Sequence, residues 1–441
     1  MKNLHVRVVA TALVLIVTMM MASTLVLAKP VATAPSASSV APADEPTADA
    51  EWTIMIYLDG DNSLESAAFT DLVEMEKIGS TAGVNVIVLM DTMDAIDGTH
   101  WYYLAPGSDH VLDDGTNMCD CEAIAGDHPG ELNMGDGKNL TYFIETAVAY
   151  APAENYMLVL WDHGGGWWAI CVDDSSLLPS GSADRLSMDE TTAAVEASGV
   201  HLSVIGYDAC FMGMVEVAYE NRDIADYMIG SITTEPGLGW EYTMFLGAVA
   251  ELPDKNAQEI CRVAVETYDA SYELLSSGAG ISGFPYPALA AYDLEKVVDL
   301  VGVGAEDGGM YALANALLPL CDDYYLRGAI QSSEACTPQL QFMGEQFAFI
   351  DIGWFATLLG EKVPDLASIT EKTFALLDEA VMYSEYVTSD SGACMNTFGM
   401  SVYYTICYGH LYSSYTEVGL DFVSVTNWDE FLFALSMVYT P

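Results

Sequence analysis

Positive charge is what this chain has least of: 13 lysines and arginines stand against 64 aspartates and glutamates, a formal net charge of -51. A surface of that sign repels phosphate backbones and anionic lipid headgroups, which excludes nucleic acid as a partner and favours a cationic substrate. An acidic surface adapted to salt or low pH would look the same, so charge alone names no substrate. Histidine is scarce too. The seven present include no His-Glu-x-x-His pair, which excludes a metallohydrolase of that design. Cys119-Asp-Cys121 has no second Cys or His pair at zinc-finger spacing, so it makes no structural zinc site. No repeat of solenoid length is present.

Apolar side chains are plentiful. At 441 residues with 52% of them hydrophobic, the chain has material for a large core, and a disordered or fibrous protein is excluded. Lys2 and Arg7 precede an apolar run from Val8 to Ala28, the pattern of an export signal. The run is long enough that an uncleaved membrane anchor stays open as the alternative. Either way, the remainder is expected outside the cytoplasm, secreted or at the cell surface. Residues 29–50 are rich in Ala, Pro, Ser and Thr and read as a flexible linker, with the folded unit starting near Glu51. Nine cysteines are an odd number for an exported chain, so eight have the opportunity to pair while one thiol stays free for chemistry.

Strand-like runs recur at Trp52–Leu58, Val84–Met90, Tyr156–Trp161, Leu202–Tyr207 and Asp226–Gly230, several of them almost continuously apolar. Helix-like stretches lie between them at Ser63–Ile78, Asn139–Ala149, Met188–Ala197 and Met212–Tyr219. That alternation predicts an α/β fold with a mostly parallel central sheet flanked by helices over residues 51–250. Residues 251–441 read as an α-rich part packed on that core, with helices at Leu294–Leu318, Phe347–Leu359 and Asp365–Met382 and a strand pair at Ser384–Thr388 and Phe398–Tyr404. A monomer is expected.

Two of the predicted strands end in chemistry. Tyr156-Met-Leu-Val-Leu-Trp-Asp162 runs into His163-Gly164-Gly165-Gly166-Trp167, and Leu202-Ser-Val-Ile-Gly-Tyr-Asp208-Ala209 runs into Cys210-Phe-Met-Gly213. In open α/β sheets functional groups gather beyond the carboxyl ends of the strands. A thiol attacks a carbonyl as thiolate, so Cys210 needs a base, and His163 is the candidate if the two strands are neighbours. A helix starting near Met212 would add its dipole in favour of the thiolate. Gly164, lacking a Cβ, lets its amide approach a substrate as an oxyanion donor, and the amide of Cys210 is the natural second donor. The bland readings are a structural His, an ordinary glycine loop and a buried, inert Cys.

His-Gly-Gly-Gly-Trp and Asp-Ala-Cys-Phe-Met-Gly, each closing an apolar strand, resemble the clostripain family of cysteine peptidases, whose caspase-like fold is shared with legumains and gingipains. Trp52-Thr-Ile-Met-Ile-Tyr-Leu-Asp-Gly-Asp-Asn-Ser-Leu-Glu65 and Glu235-Pro-Gly-Leu-Gly-Trp240 resemble further family segments, as do Ala288–Leu294, Phe349–Ile352 and Gly399–Tyr403. The resemblance implies an endopeptidase acting on proteins or peptides after Arg or Lys. Asp208 matches the acidic residue of the family's first subsite, with Glu235 and Trp240 as weaker pocket candidates. It also implies activation by cleavage between the two motifs, where Arg185 is the only Lys or Arg. An accessible polar loop is expected there. No cofactor is required by this reading. Calcium, which some relatives use, is allowed, but no metal ligands are assigned. Asp59-Gly-Asp61-Asn62 lacks the remaining ligands of an EF-hand and reads as a turn capping the next helix. The alternatives left standing are a same-fold peptidase with another P1 preference and a surface binding protein without turnover.

Overall fold

The computed structural model describes residues 46, 50–93, 98–105, 130–279, 288–334, 349–386, 397–405, 415–416 and 419–436. The export segment, nearly all of the linker, and Cys119 with Cys121 lie outside the described residues. Among the described residues no helix is long and apolar enough to cross a membrane.

Eight strands form one sheet. In chain order they are β1 (Ala50–Gly60), β2 (Val84–Thr92), β3 (His100–Tyr103), β4 (Ala153–Trp161), β7 (Leu202–Asp208), β8 (Ala225–Ser231), β9 (Ala288–Asp293) and β11 (Val381–Tyr386). They lie side by side as β11-β9-β8-β7-β4-β1-β2-β3. The five central strands run parallel, while β3, β9 and β11 pair antiparallel at the two edges. The expected mostly parallel sheet is therefore present, and β1, β2, β4, β7 and β8 fall where the apolar runs placed them.

Each central strand is covered on both faces, which is why its sequence is nearly continuous in apolar residues. Side chains alternate between two cores. Met55, Tyr57, Leu158, Leu160, Ile205 and Tyr207 point into one, and Ile54, Ile56, Met157, Val159, Trp161 and Val204 into the other. Helices between the strands start where polar side chains satisfy their first amides: Asp136 accepts from Lys138, and Ser187 with Glu190 closes a capping box on the helix Met188–Ser198.

The second half departs from expectation. Residues beyond 250 do not simply pack on a finished core, because β9 and β11 complete its sheet. The strand pair predicted near residues 384–404 is present as two strands, but they are not partners. β11 pairs with β9, and β12 (Ser401–Tyr403) pairs with β10 (Phe349–Asp351), a strand at the start of what reads in sequence as a helix. The helix predicted over Leu294–Leu318 is two helices, Leu294–Val301 and Gly309–Leu317, separated at Gly302 and Gly304, both with positive φ. A hairpin of β5 (Ile170–Leu177) and β6 (Ala183–Leu186) was not foreseen.

Candidate active site

The strand order makes β4 and β7 neighbours, with Trp161 opposite Asp208 in parallel register. The ladder continues one step further, the Asp162 amide donating to Asp208 O at 3.3 Å. Each strand then runs on to its candidate residue, so His163 and Cys210 leave adjacent strands at the same edge of the sheet. Their segments touch. A Cβ on Gly164 would lie 2.2 Å from Cys210 O and 2.9 Å from Cys210 N, so only glycine permits this approach of the two backbones. Immediately after Cys210, Phe211 adopts φ 64°, a left-handed conformation rare for a bulky residue. It is held by its amide donating to Thr233 O at 2.8 Å and by ring contact with Phe349, 5.1 Å between centroids. The next turn is pinned as well, since Gly213 N donates to Ser231 O and Gly213 O accepts from Ser401 N.

The expected helix at Met212 begins only at Val215 and is six residues long. It is therefore too far from Cys210 for its dipole to act on the thiol, since that effect fades within the first turn. Burial dominates instead. It pushes the Cys210 thiol up to about 11, with the nearby charges of Asp208 and Asp162 adding to the rise, and it pulls His163 down to about 4. The resting pair is a neutral thiol and a neutral imidazole. His163 is half-buried, and its Nε2 lies 2.9 Å from Ser63 Oγ. Ser63 follows β1 and was not singled out from sequence, although it stands within the Asp-Gly-Asp-Asn-Ser loop noted there. Asn62 ties the same loop to the residue after β4 and to β5, donating to Asp162 Oδ1 at 2.7 Å and to Val172 O at 3.1 Å. The turn caps no helix in the expected way: the N-cap of the helix Glu65–Ile78 is Leu64, without a side-chain cap, and Asn62 Oδ1 accepts the Leu64 amide.

The sulfur accepts from the Glu235 amide at 3.2 Å, which brings the loop after β8 over the thiol. Asp208, 3% exposed, accepts from Trp240 N at 3.2 and 3.1 Å and from Tyr242 Oη at 2.9 Å. Gly239, at φ 54°, leaves room for that carboxylate, since a Cβ there would sit 2.7 Å from Asp208 Oδ1. Glu235 is not an exposed loop acid. Both its carboxylate oxygens are buried, and burial followed by the Asp208 charge holds its carboxyl well above the usual range. Trp240 is fully packed between Tyr242 and Phe245. Asp208 and Glu235 thus form a buried acidic pair next to Cys210, with Trp240 behind it.

Arg185 is not in an open loop. It lies on β6, paired with Val172 of β5, half-buried, with its guanidinium 4.1 Å from the centre of the Trp168 ring. The four described cysteines, Cys171, Cys210, Cys261 and Cys321, are all free thiols, and all except Cys210 are buried. Eight paired cysteines are therefore excluded, because pairing is open only to the remaining residues.

A mixed sheet with a histidine and a cysteine at adjacent strand ends is the caspase-like arrangement of cysteine peptidases. The family model described as the clostripain family, peptidase family C11, matches residues 56–433, and the chain belongs to that family. It is 33% identical over 218 residues to clostripain of Hathewaya histolytica, a match spanning 43% of this chain but only 40% of clostripain's own length. Among solved structures it resembles a secreted C11 cysteine protease from Bacteroides thetaiotaomicron in complex with an irreversible peptide inhibitor, at 21% identity and TM-score 0.57, covering 86% of this chain and 99% of the other. It resembles equally an inactive zymogen C11 protease from Parabacteroides distasonis, at 19% identity and TM-score 0.57 with the same coverage. Both likenesses bear out the fold.

Proposed function

We propose that the protein is an exported endopeptidase that cleaves after Arg or Lys, with Cys210 as nucleophile and His163 as its base. The observation that carries this reading is the register of β4 and β7, which brings His163 and Cys210 to one edge with Gly164 against the Cys210 backbone. In the tautomer whose Nε2–H is shared with Ser63 Oγ, Nδ1 is the basic atom. As substrate docks, that nitrogen takes the thiol proton while the sulfur bonds to the carbonyl carbon, and the amides of Gly164 and Cys210 hold the oxyanion. The imidazolium returns the proton to the departing amine. Water then cleaves the thioester and restores the thiol.

The acidic pair supports a basic P1 residue: Asp208 and Glu235 are buried beside the nucleophile, where a guanidinium or ammonium would relieve their repulsion. Trp240 supports that pocket from behind. Cleavage after Arg185 would require the β5–β6 hairpin to open, so activation is a slow first step in this reading. Arg185→Ala should then leave a single uncut band on a denaturing gel, and cutting at that bond regardless would remove the proposal. The wider test is a panel of fluorogenic peptides differing only at P1, together with labelling by an Arg-directed acyloxymethyl ketone. Turnover confined to Arg and Lys, with the label on Cys210, is expected. Equal turnover of Asp or Asn peptides would favour another specificity, and a chain neither labelled nor active would favour the binding-protein alternative.

A further inference from the structure

The wall of the acidic pocket beside Cys210 is completed from the far half of the chain, by a tyrosine that no local pattern singles out. The helix Ala257–Ala279 carries Tyr268 and Tyr272 one turn apart, their rings edge to face with 4.8 Å between centroids. Tyr272 Oη donates to Gly239 O at 2.8 Å, and Gly239 is the residue whose missing Cβ leaves room for the Asp208 carboxylate. That bond fixes the tyrosine pair against the pocket. Tyr268 is 2% exposed. Burial raises the pKa of its hydroxyl first of all, and Glu235 adds to the rise more than any other charge, ahead of Asp208 and Cys210.

The hydroxyl of Tyr268 is buried, and among the described residues nothing bonds to it, although it lies within the field of the Glu235 carboxylate. Both oxygens of Glu235 are buried in the same way with no donor reaching them, and the strongest charge acting on them is that of Asp208, of their own sign. Asp208 differs, because Trp240 N and Tyr242 Oη already donate to it. A buried hydroxyl or carboxylate without a donor costs stability, and folded proteins keep few such groups. The arrangement suits a guest that brings several N–H donors of its own. The pocket meets the surface at Cys210 and Glu235, both half-buried, so a side chain on the acyl side of the scissile bond has a way in.

We propose that Tyr268 is a specificity-determining residue whose hydroxyl accepts a hydrogen bond from the P1 head group, held between it and Glu235. The proposal rests on the reading of Asp208 and Glu235 as the P1 pocket. A guanidinium spreads five N–H donors over one plane and reaches the hydroxyl and a carboxylate at once. An ammonium is compact, with three donors that the two carboxylates take up, so it has less need of Tyr268.

The test is hydrolysis of fluorogenic peptides that differ only in carrying Arg, Lys, Asp or Asn at P1, by the parent chain and by Tyr268→Phe, with thermal melting and Cys210 alkylation by iodoacetamide measured on both. Tyr268→Phe should lower kcat/KM for the Arg peptide by about tenfold or more, mainly through KM, and for the Lys peptide by about threefold or less. Because the lost hydroxyl had no partner inside the protein, the variant should melt no lower than the parent and alkylate at the same rate. A variant that melts well below the parent, or that loses Arg and Lys turnover equally, gives the hydroxyl a structural role and overturns the proposal. Unchanged kinetics in Tyr268→Phe, with the parent still confined to basic P1 residues, overturn the role of Tyr268 and leave the peptidase reading standing. A parent chain that cleaves Asp or Asn peptides as well as basic ones refutes the pocket itself, and the role of Tyr268 with it.

Discussion

The neutral resting state of His163 and Cys210 makes a prediction opposite to that of a preformed ion pair. At pH 7 a thiol held at about 11 is ionised to about one part in ten thousand, against about three parts in a hundred for a free cysteine near 8.5. That is a deficit of about 300-fold. The higher pKa makes the thiolate more nucleophilic and recovers about tenfold of it, for a Brønsted slope of about 0.4–0.5. Alkylation of Cys210 by neutral iodoacetamide should therefore run roughly 30-fold slower than that of a free thiol at pH 7, and rise about tenfold per pH unit towards the alkaline range. His163→Ala should leave this profile in place, because the imidazole at about 4 carries no charge that would hold a thiolate at neutral pH. The same substitution should lower peptide hydrolysis by about 10² to 10⁴, the usual worth of a general base. Mass spectrometry of the alkylated chain over pH 5 to 10 gives one measurement and a fluorogenic Arg peptide the other. Fast alkylation that is flat from pH 5 to 8 and collapses in His163→Ala would show a thiolate–imidazolium pair at rest and refute the argument from burial.

In the parent enzyme, kcat/KM should hold level down the acid side until His163 begins to protonate near about 4, since the base works only above its own pKa. Loss of activity with a midpoint near 6.5 would mean the imidazole is not desolvated as its surroundings require. Asp208→Asn should cost about hundredfold in kcat/KM for Arg peptides, the scale of a buried charge pair, and much less for peptides with a neutral P1; equal losses on both would point to collapse of the loop around Trp240. Ser63→Ala should lower kcat about tenfold with KM nearly unchanged and be rescued by Ser63→Thr, as expected when a positioning contact to the imidazole is lost; a change in KM alone would place Ser63 with the substrate. Gly164→Ala should lower both melting temperature and activity, because its Cβ would fall 2.2 Å from Cys210 O, and a fully active, equally stable variant would contradict the close approach of the two segments.

The central strands were legible because a strand covered on both faces must be apolar at nearly every position, and the runs at β1, β2, β4, β7 and β8 have no other reading of that length. β9, Ala-Leu-Ala-Ala-Tyr-Asp, was invisible as a strand because alanine favours helices and nothing local says that β8 and β11 will flank it. The same limit applies to β10 and β12, three residues each, which owe their extended form to each other.

By itself, then, the sequence marked the candidates for chemistry: a histidine and a cysteine each placed just past an apolar strand, and an aspartate two residues before the thiol. Only the tertiary structure decided their electrostatic state. Burial, with Asp208 and Asp162 near the sulfur, raises the thiol instead of lowering it, because desolvation depends on every element packed around the site and not on neighbours in the chain. It also assembled what no local pattern announced. Asp61, Asp91 and Glu131 come from a strand-following turn, a strand end and a distant loop, and they form one cluster because parallel register aligns the ends of β1 and β2. A cluster built by strand order has no sequence spacing to be recognised by.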